Sequence, residues 1–193
     1  LLSLEHERFF KYTDMARSGA GLAWDYLFPN KSRPGLLNIV EDRDLWRFKF
    51  STTREHCAGL FAMEYNFSIW DRYFLEGWGD ELYAMGEGIN RKFEKDLKEF
   101  LPLTKRHIVV GTIPMLCANV PYMWASEAGN VLAKEAQYGA AATYYDSADY
   151  RHFSLRSVSV TDPKDAHFEV DVSQIAKQYG GGGHKNAAEF KVP

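Results

Sequence analysis

The chain reads as an α/β protein: a mainly helical first part, a long connecting helix, and a small mixed-sheet α/β domain at the end. Three observations predict this. Over residues 80–100, Leu82, Met85, Ile89, Phe93, Leu97 and Phe100 recur every three or four positions, the period of one helix face. After Pro102 the period falls towards two, in apolar runs at 107–120 and in the alternating stretch Phe153-Ser154-Leu155-Arg156-Ser157-Val158-Ser159-Val160. Close to the C-terminus a short helical pattern runs into four consecutive glycines, Gly180 to Gly183. The 193 residues, 46% of them hydrophobic, are enough for one or two compact domains.

Residues 4–24 predict a helix carrying an aromatic cluster of Phe9, Phe10 and Tyr12. Within it Ser18 can cap a helix whose Gly19, Ala20 and Ala23 allow close packing. Residues 29–35, with Pro29, Pro34 and Gly35, form a turn-rich connection to an apolar element starting at Leu36. Acidic residues follow at once in Glu41-Asp42-Arg43-Asp44-Leu45-Trp46-Arg47-Phe48. Carboxylates at the end of a buried element can hold magnesium or manganese, and they can equally form a solvated turn paired with Arg43 and Arg47. A helix is expected over 54–63, then the long one over 80–100, whose mixed charges suit a solvated face. Trp70, Tyr73, Phe74 and Trp78 could stack bases; packing is the reading favoured, since aromatics dominate buried contacts.

Pro102 is expected to end the long helix and to mark the connector between domains. Beyond it, residues 107–120 predict two strands about a Gly111-Thr112 turn, and Ser126 is expected to cap a helix reaching Ala136. Strands follow over 140–145 and 152–160, and a last one over 189–192. His107, His152 and His167 have no partners at metal spacing and read as surface or satisfied histidines.

Residues 170–179 read as a strand end and a short helix, capped by Asp171 or Ser173, with Gly180 at its C-terminal cap. Ordering four glycines costs more backbone entropy than any other tetrad, so the run needs a reason. A linker would lead only to the last few residues. The alternative is a loop whose bare backbone lets amides approach an anion, with His184 and Lys185 at its exit. Ala187 and Ala188 are small enough for a tight helical turn there.

A net charge of −3 and a pI near 6.1 exclude a global basic field for long nucleic acid, while a short anionic ligand in a local basic pocket remains compatible. Cys57 and Cys117 are isolated, so neither a zinc site nor a disulfide framework is indicated and a cytoplasmic setting is expected. No apolar run has the length of a membrane span. The chain opens Leu1-Leu2 without methionine, in what reads as helix interior, so a fragment of a longer protein is expected.

The Ser154-Leu155-Arg156-Ser157 strand, followed by VDVSQIAKQYGGGGHKNAA, resembles the DHH-associated C-terminal domain with its GGGH motif. That domain occurs in DHH phosphoesterases, such as RecJ-type exonucleases and the oligoribonucleases called nanoRNases, and at the end of alanyl-tRNA synthetases. EDRDLWRF resembles the nanoRNase branch, so the resemblance runs from about Arg17 to the C-terminus. It implies that 1–79 is the C-terminal part of a DHH-type catalytic domain, 80–102 a connector helix and 103–193 the substrate-binding domain. The family's DxD pair, isolated aspartate and Asp-His-His are absent, which looks like loss of the N-terminal half of the catalytic domain.

By the same resemblance, two Mn2+ (or Mg2+) ions activate water in the complete enzyme, with Asp42 as a metal ligand and Asp44 the second candidate. Arg156 would clamp a phosphate. Gly181, Gly182 and Gly183 would offer backbone amides, and His184, the catalytic candidate, would touch the reacting or adjacent phosphate. Ser154, Ser157, Lys185 and Asn186 would add secondary contacts. The implied substrate is a short oligonucleotide or small nucleotide, and a homodimer is compatible. Where the family usually has glycine after the two alanines this chain has Glu189, a carboxylate that would repel phosphate. The rival readings are a nucleic-acid-binding module without catalysis and a structural or oligomerising fragment; EDRDLW favours the phosphoesterase.

Overall fold

The computed structural model describes residues 12–75, 77, 79–159 and 169–193, and across them the protein is α/β. The chain divides into two compact units, the first ending at Lys95 and the second running from Asp96 to Pro193.

The first unit is helical: α1 (Gly19–Leu27), α2 (Gly35–Asp44), α3 (Thr53–Phe61), α4 (Phe67–Leu75) and the opening turns of α5 (Gly79–Thr104). Leu36 and Ile39 of α2, Cys57 and Leu60 of α3, Tyr73 of α4 and Leu82 of α5 form its core. Trp70 and Phe74 pack against that core, so these rings are packing residues; Trp78 lies outside the described residues. Crossing helices approach backbone to backbone: a Cβ on Gly59 would lie 2.2 Å from the Leu82 carbonyl, and one on Gly86 1.7 Å from that of Glu55.

An ionic network holds the start of this unit. Arg33 donates through Nε and Nη2 to Asp25 at 2.8 and 2.7 Å, and through Nη1 to Glu41 at 2.9 Å. Arg17 also pairs with Asp25. Hydrogen bonding to Arg33, opposed by burial and reinforced by Arg17, holds the Asp25 carboxyl down to about 2. The second Glu41 oxygen accepts the amide and hydroxyl of Ser18 at 2.9 Å, while the Ser18 hydroxyl caps α1 by accepting from the Gly21 amide. The expected helix over 4–24 is therefore corrected in its described part. Asp14 accepts from the Ala16 amide at 2.8 Å and from the Arg17 amide at 3.2 Å, and this turn delays the helix to Gly19. His6, Phe9 and Phe10 lie outside the described residues.

The second unit is built on one six-stranded mixed sheet of β1 (Arg106–Val110), β2 (Ile113–Asn119), β3 (Ala140–Asp146), β4 (Arg151–Ser157), β5 (Gly182–His184) and β6 (Ala187–Val192), in the order β1-β2-β3-β4-β6-β5. All neighbours are antiparallel except β2 and β3. The parallel pair requires a crossover, supplied by a 3-10 turn (Tyr122–Trp124) and α6 (Ala125–Glu135). Period-two alternation sorts the faces. Ala142, Leu155, Ala188 and Phe190 point to a core closed by Val172, Ile175 and Ala176 of α7 (Val172–Gln178). Thr143 and Arg156 point to the other face, where α6 lies against β2, β3 and β4. Asp171 caps α7, accepting from the Ser173 and Gln174 amides.

Four expectations change here. The long helix continues past Pro102 to Thr104: Leu101 accepts from the Lys105 amide at 2.9 Å and Phe100 from the Thr104 hydroxyl at 3.3 Å, so the proline removes one bond without ending the helix. Ala187 and Ala188 are strand, not a helical turn, because β6 joins the sheet through them. Residues Glu169 and Val170 before α7 are not strand. The strand expected over 152–160 ends at Ser157, and Val160 and His167 lie outside the described residues. Of the five apolar helix positions after Leu82, Met85 and Ile89 are exposed, while Leu97 is buried in the second unit.

Two alanine substitutions on α5 are expected to act with opposite signs. Gly86→Ala drives a methyl into the Glu55 carbonyl and destabilises by about 1–3 kcal/mol. Gly88→Ala meets nothing within 4 Å and stabilises by roughly 0.5–1 kcal/mol, since it removes a helix-interior glycine. Urea denaturation of both variants checks the pair; equal effects would remove the close crossing from the account.

Candidate functional site

On the face that carries Arg156, α6 covers β2 to β4 and stops short of β6 and β5. The uncovered margin is a cavity of about 840 Å³. Its floor comes from Ser154 and Arg156 of β4, Glu189 and Lys191 of β6 and the backbone of Gly180 to Gly183; the first turn of α6 adds Ala125 and Ser126. Tyr122, Tyr145 and His152 form an aromatic side.

Register explains the convergence. Ser154 pairs with Glu189, which pairs with Gly182, so three neighbouring strands bring one residue each to the same row. Arg156 is opposite Ala187, one step along the same face. Its stem passes beneath α6 at Gly129, where a Cβ would lie 2.8 Å from Arg156 Cγ. The guanidinium donates through Nη2 to the Ser126 hydroxyl at 2.8 Å, and through Nη1 to the Ser154 hydroxyl at 3.0 Å and the Leu155 carbonyl at 2.8 Å. Each serine oxygen accepts from the cation, which leaves its own O–H to donate to a ligand. The site therefore combines a fixed positive charge, two polarised hydroxyls and a helix N-terminus, all of which favour an anion. Ser126 was expected to cap α6; instead Trp124 occupies that position with no side-chain cap bond, and the hydroxyl serves Arg156.

The glycine run divides by role. The Gly180 amide bonds Lys177 O at 3.1 Å and the Gly181 amide bonds Ala176 O at 2.9 Å, closing α7 with Gly180 at φ +76°. The Gly181 amide is thus engaged in the helix cap rather than offered to an anion, a correction to the expected cradle. A Cβ at Gly181 would lie 2.1 Å from Glu189 O; at Gly183, with φ +144°, it would lie 2.5 Å from Ala187 O. Gly182 alone in the run combines a φ outside the positive region with open space, since a Cβ there would meet nothing within 4 Å. The fold does not require glycine at 182, yet the position borders the cavity.

His184, Lys185, Ser157 and Asn186 lie apart from this cavity. His184 is exposed at the end of β5, opposite Ala187, and does not line it. Lys185 pairs with Glu169 at 2.6 Å. Ser157 is buried and accepts from the Asn186 side-chain amide at 3.0 Å, clasping β4 to the β5–β6 turn. His107 is exposed, and His152 stacks on Tyr145 at 4.7 Å with its Nε2 3.0 Å from the Ser147 hydroxyl. Sequence reasoning missed Ser126 as a residue of this cavity, together with Tyr122, Tyr145, His152 and Lys191.

Asp42 is 4% exposed and belongs to the first unit. Its Oδ1 accepts from the Lys49 amide at 3.0 Å; its Oδ2 accepts from the Phe50 amide at 3.3 Å and the Thr53 hydroxyl at 2.6 Å. Burial would raise its pKa, but the bonds from Thr53, Lys49 and Phe50 win and hold it below the usual carboxylate range. This carboxylate staples a loop in which Trp46 and Phe48 take φ of 55° and 49°. Asp44 is exposed. No group of three or more His, Cys, Asp or Glu able to hold a metal occurs among the described residues. These residues do not by themselves make up the two-metal centre that the resemblance implies for the complete enzyme. Burial pushes the thiols of Cys57 and Cys117 up to about 11, so neither is poised as a nucleophile.

No family model matches the chain. It is 27% identical over 179 residues to an uncharacterized protein, R106, of Acanthamoeba polyphaga mimivirus, an alignment covering 90% of this chain and 41% of that protein. The chain thus spans about two fifths of the curated relative it matches. Among solved structures it is similar to the pGpG-specific phosphodiesterase PggH from Vibrio cholerae, at 14% identity and a TM-score of 0.44, over 89% of this chain and 66% of that one. No helix among the described residues is long and apolar enough to cross a membrane.

Asp42→Asn is expected to cost the first unit about 1–3 kcal/mol, since one donor loses its charged acceptor. The stabilisation from Asp42 is present in full above roughly pH 4, its unfolded value, and is lost as pH falls through the lower folded value. Denaturation at pH 7 and pH 3 checks this: the wild-type chain and the Asp42→Asn variant should converge in acid. Unchanged stability at pH 7 would contradict the staple.

Proposed function

We propose that the cavity beside α6 binds the phosphate of a short oligonucleotide or small nucleotide, and that the chain is the substrate-binding part of a DHH-type metal-dependent phosphoesterase. The observation that carries the reading is Arg156, a cation packed under α6 and held by two serine hydroxyls at the wall of a cavity bounded by the bare backbone of Gly182. A phosphate there would accept from Ser126 and Ser154 beside the guanidinium charge, and its nucleoside would lie along the aromatic side. Ring faces at Tyr122, Tyr145 and His152 suit a base, because every base has a π-face to stack.

Hydrolysis would draw its metal, manganese or magnesium, from ligands other than the described residues, so no chemical step is assigned to this chain. The second reading is a binding module without catalysis of its own.

Charge-assisted contacts to phosphate contribute on the order of 1.5–3 kcal/mol each before losses. Association entropy consumes much of this, so a Kd near the millimolar range is expected for a mononucleotide or dinucleotide without metal. The 31P resonance of a dinucleotide, followed during titration with the full chain, provides the test. Arg156→Ala and Gly182→Val should each weaken binding at least about tenfold, equivalent to 1.4 kcal/mol. Manganese should produce no turnover by the homogeneous chain. Binding unaffected by Arg156→Ala would overturn the assignment, and robust metal-dependent hydrolysis would show that the chain assembles a metal site by itself.

A further inference from the structure

The cavity contains a group that a pure phosphate site would exclude. Glu189 is the acidic side chain among its lining residues, and it is exposed there, with no hydrogen-bond or ion-pair partner among the described residues. It is fixed by the sheet rather than by a mobile loop. β6 alternates strictly, with Ala188 and Phe190 buried in the core, so Glu189 must face the cavity between Ser154 and Gly182. Arg156 lies one register step away on the same face, a diagonal of about 7–8 Å between neighbouring strands. Both residues also line a smaller recess of about 210 Å³ together with Gly182 and Gly183.

A ligand carrying only negative charge would meet attraction at one end of this diagonal and repulsion at the other. A ligand with an anion at one end and hydrogen-bond donors at the other satisfies both. An ionised carboxylate is acceptor-only and takes two donors side by side. Guanine presents such a pair, N1–H beside the N2 amino group. The pairing edges of adenine and cytosine place an acceptor nitrogen beside their amino group, and that of uracil flanks one N–H with two carbonyls. The stacked pair of His152 and Tyr145, 4.7 Å apart and 4° from parallel, stands one register step from Glu189 on the other side and offers a ring face to the same base. Lys191, directly opposite His152, closes that end with its ammonium held over Tyr150 at 4.1 Å.

Building on the phosphate site argued above, we propose that Glu189 makes this cavity selective for guanine nucleotides by accepting from the guanine N1–H and N2 amino group while Arg156 and its serines hold the phosphate. Selectivity of this kind comes from the mismatch as much as the match, since the wrong base leaves an acceptor facing a carboxylate.

The full chain is titrated with GMP, IMP and AMP in EDTA, and affinities are read by saturation-transfer NMR. GMP and IMP differ only in the N2 amino group, so that comparison isolates one donor. The wild type should bind GMP at least tenfold more tightly than IMP or AMP. Glu189→Gln and Glu189→Gly, both at an exposed strand position, should bring the three affinities within about threefold of one another, and Glu189→Gly should strengthen AMP. Equal wild-type affinities, all weakened by Arg156→Ala, would overturn guanine selectivity and leave the phosphate site standing. A GMP preference that survives Glu189→Gln would also overturn it, because the selectivity would then come from elsewhere. Failure of all three nucleotides to bind would overturn both the selectivity and the phosphate site.

Discussion

The second unit depends on one packed cation. Arg156 extends from the middle of β4 beneath α6, and the helix can cross it only because residue 129 is glycine. Both flanking serines bind the guanidinium, so the charge is oriented rather than left to sweep through solvent. A half-buried cation of this kind is costly to desolvate unless its donors are matched, and here serine hydroxyls and the Leu155 carbonyl match them. The same contacts that make burial tolerable also aim the charge at the space where α6 no longer covers the sheet. Packing and the proposed binding thus rest on the same atoms.

The edge of the sheet follows from a second constraint, the close approach of the glycine run to β6. Side chains at Gly181 and Gly183 would strike carbonyls of β6, and closure of α7 requires the turn at Gly180. The chain can therefore leave the helix, reverse and pair as β5 within a few residues. Gly182 falls outside this explanation, because its missing side chain leaves room without relieving any clash. Together with Glu189 and Arg156, that room has the character of a contact surface for a ligand, with charge of both signs laid out across three strands.

Much of the fold was legible because it rests on local periodicity. The stripe of the long helix, the strands about Gly111-Thr112 and the Asp171 cap all express rules that act within a few residues. The site was legible only in part. Arg156, Ser154 and the glycines carried a recognisable pattern, and the cavity gathers them. Ser126 gave the signal of a helix cap, and nothing nearby in sequence says that an arginine 30 positions later takes its hydroxyl. Tyr122, Tyr145 and His152 come from separate elements and meet only through the sheet. Asp42 was ambiguous for a related reason: an acidic residue after an apolar run suits a metal ligand or a loop staple. In this structure its oxygens accept from Lys49, Phe50 and Thr53, whose donors reach it only once the loop has folded back.

The claim at the centre of this account is that an anion binds between the first turn of α6 and the Gly182 backbone. A residue-by-residue amide and side-chain shift map of the full chain, titrated with a nucleoside monophosphate, tests it most directly. The largest changes are expected at Ser126, Ser154, Gly182 and the Arg156 guanidinium, with the Asn186 side-chain amide and the first unit unmoved. Changes centred on His184 to Asn186, or on the loop stapled by Asp42, would contradict it.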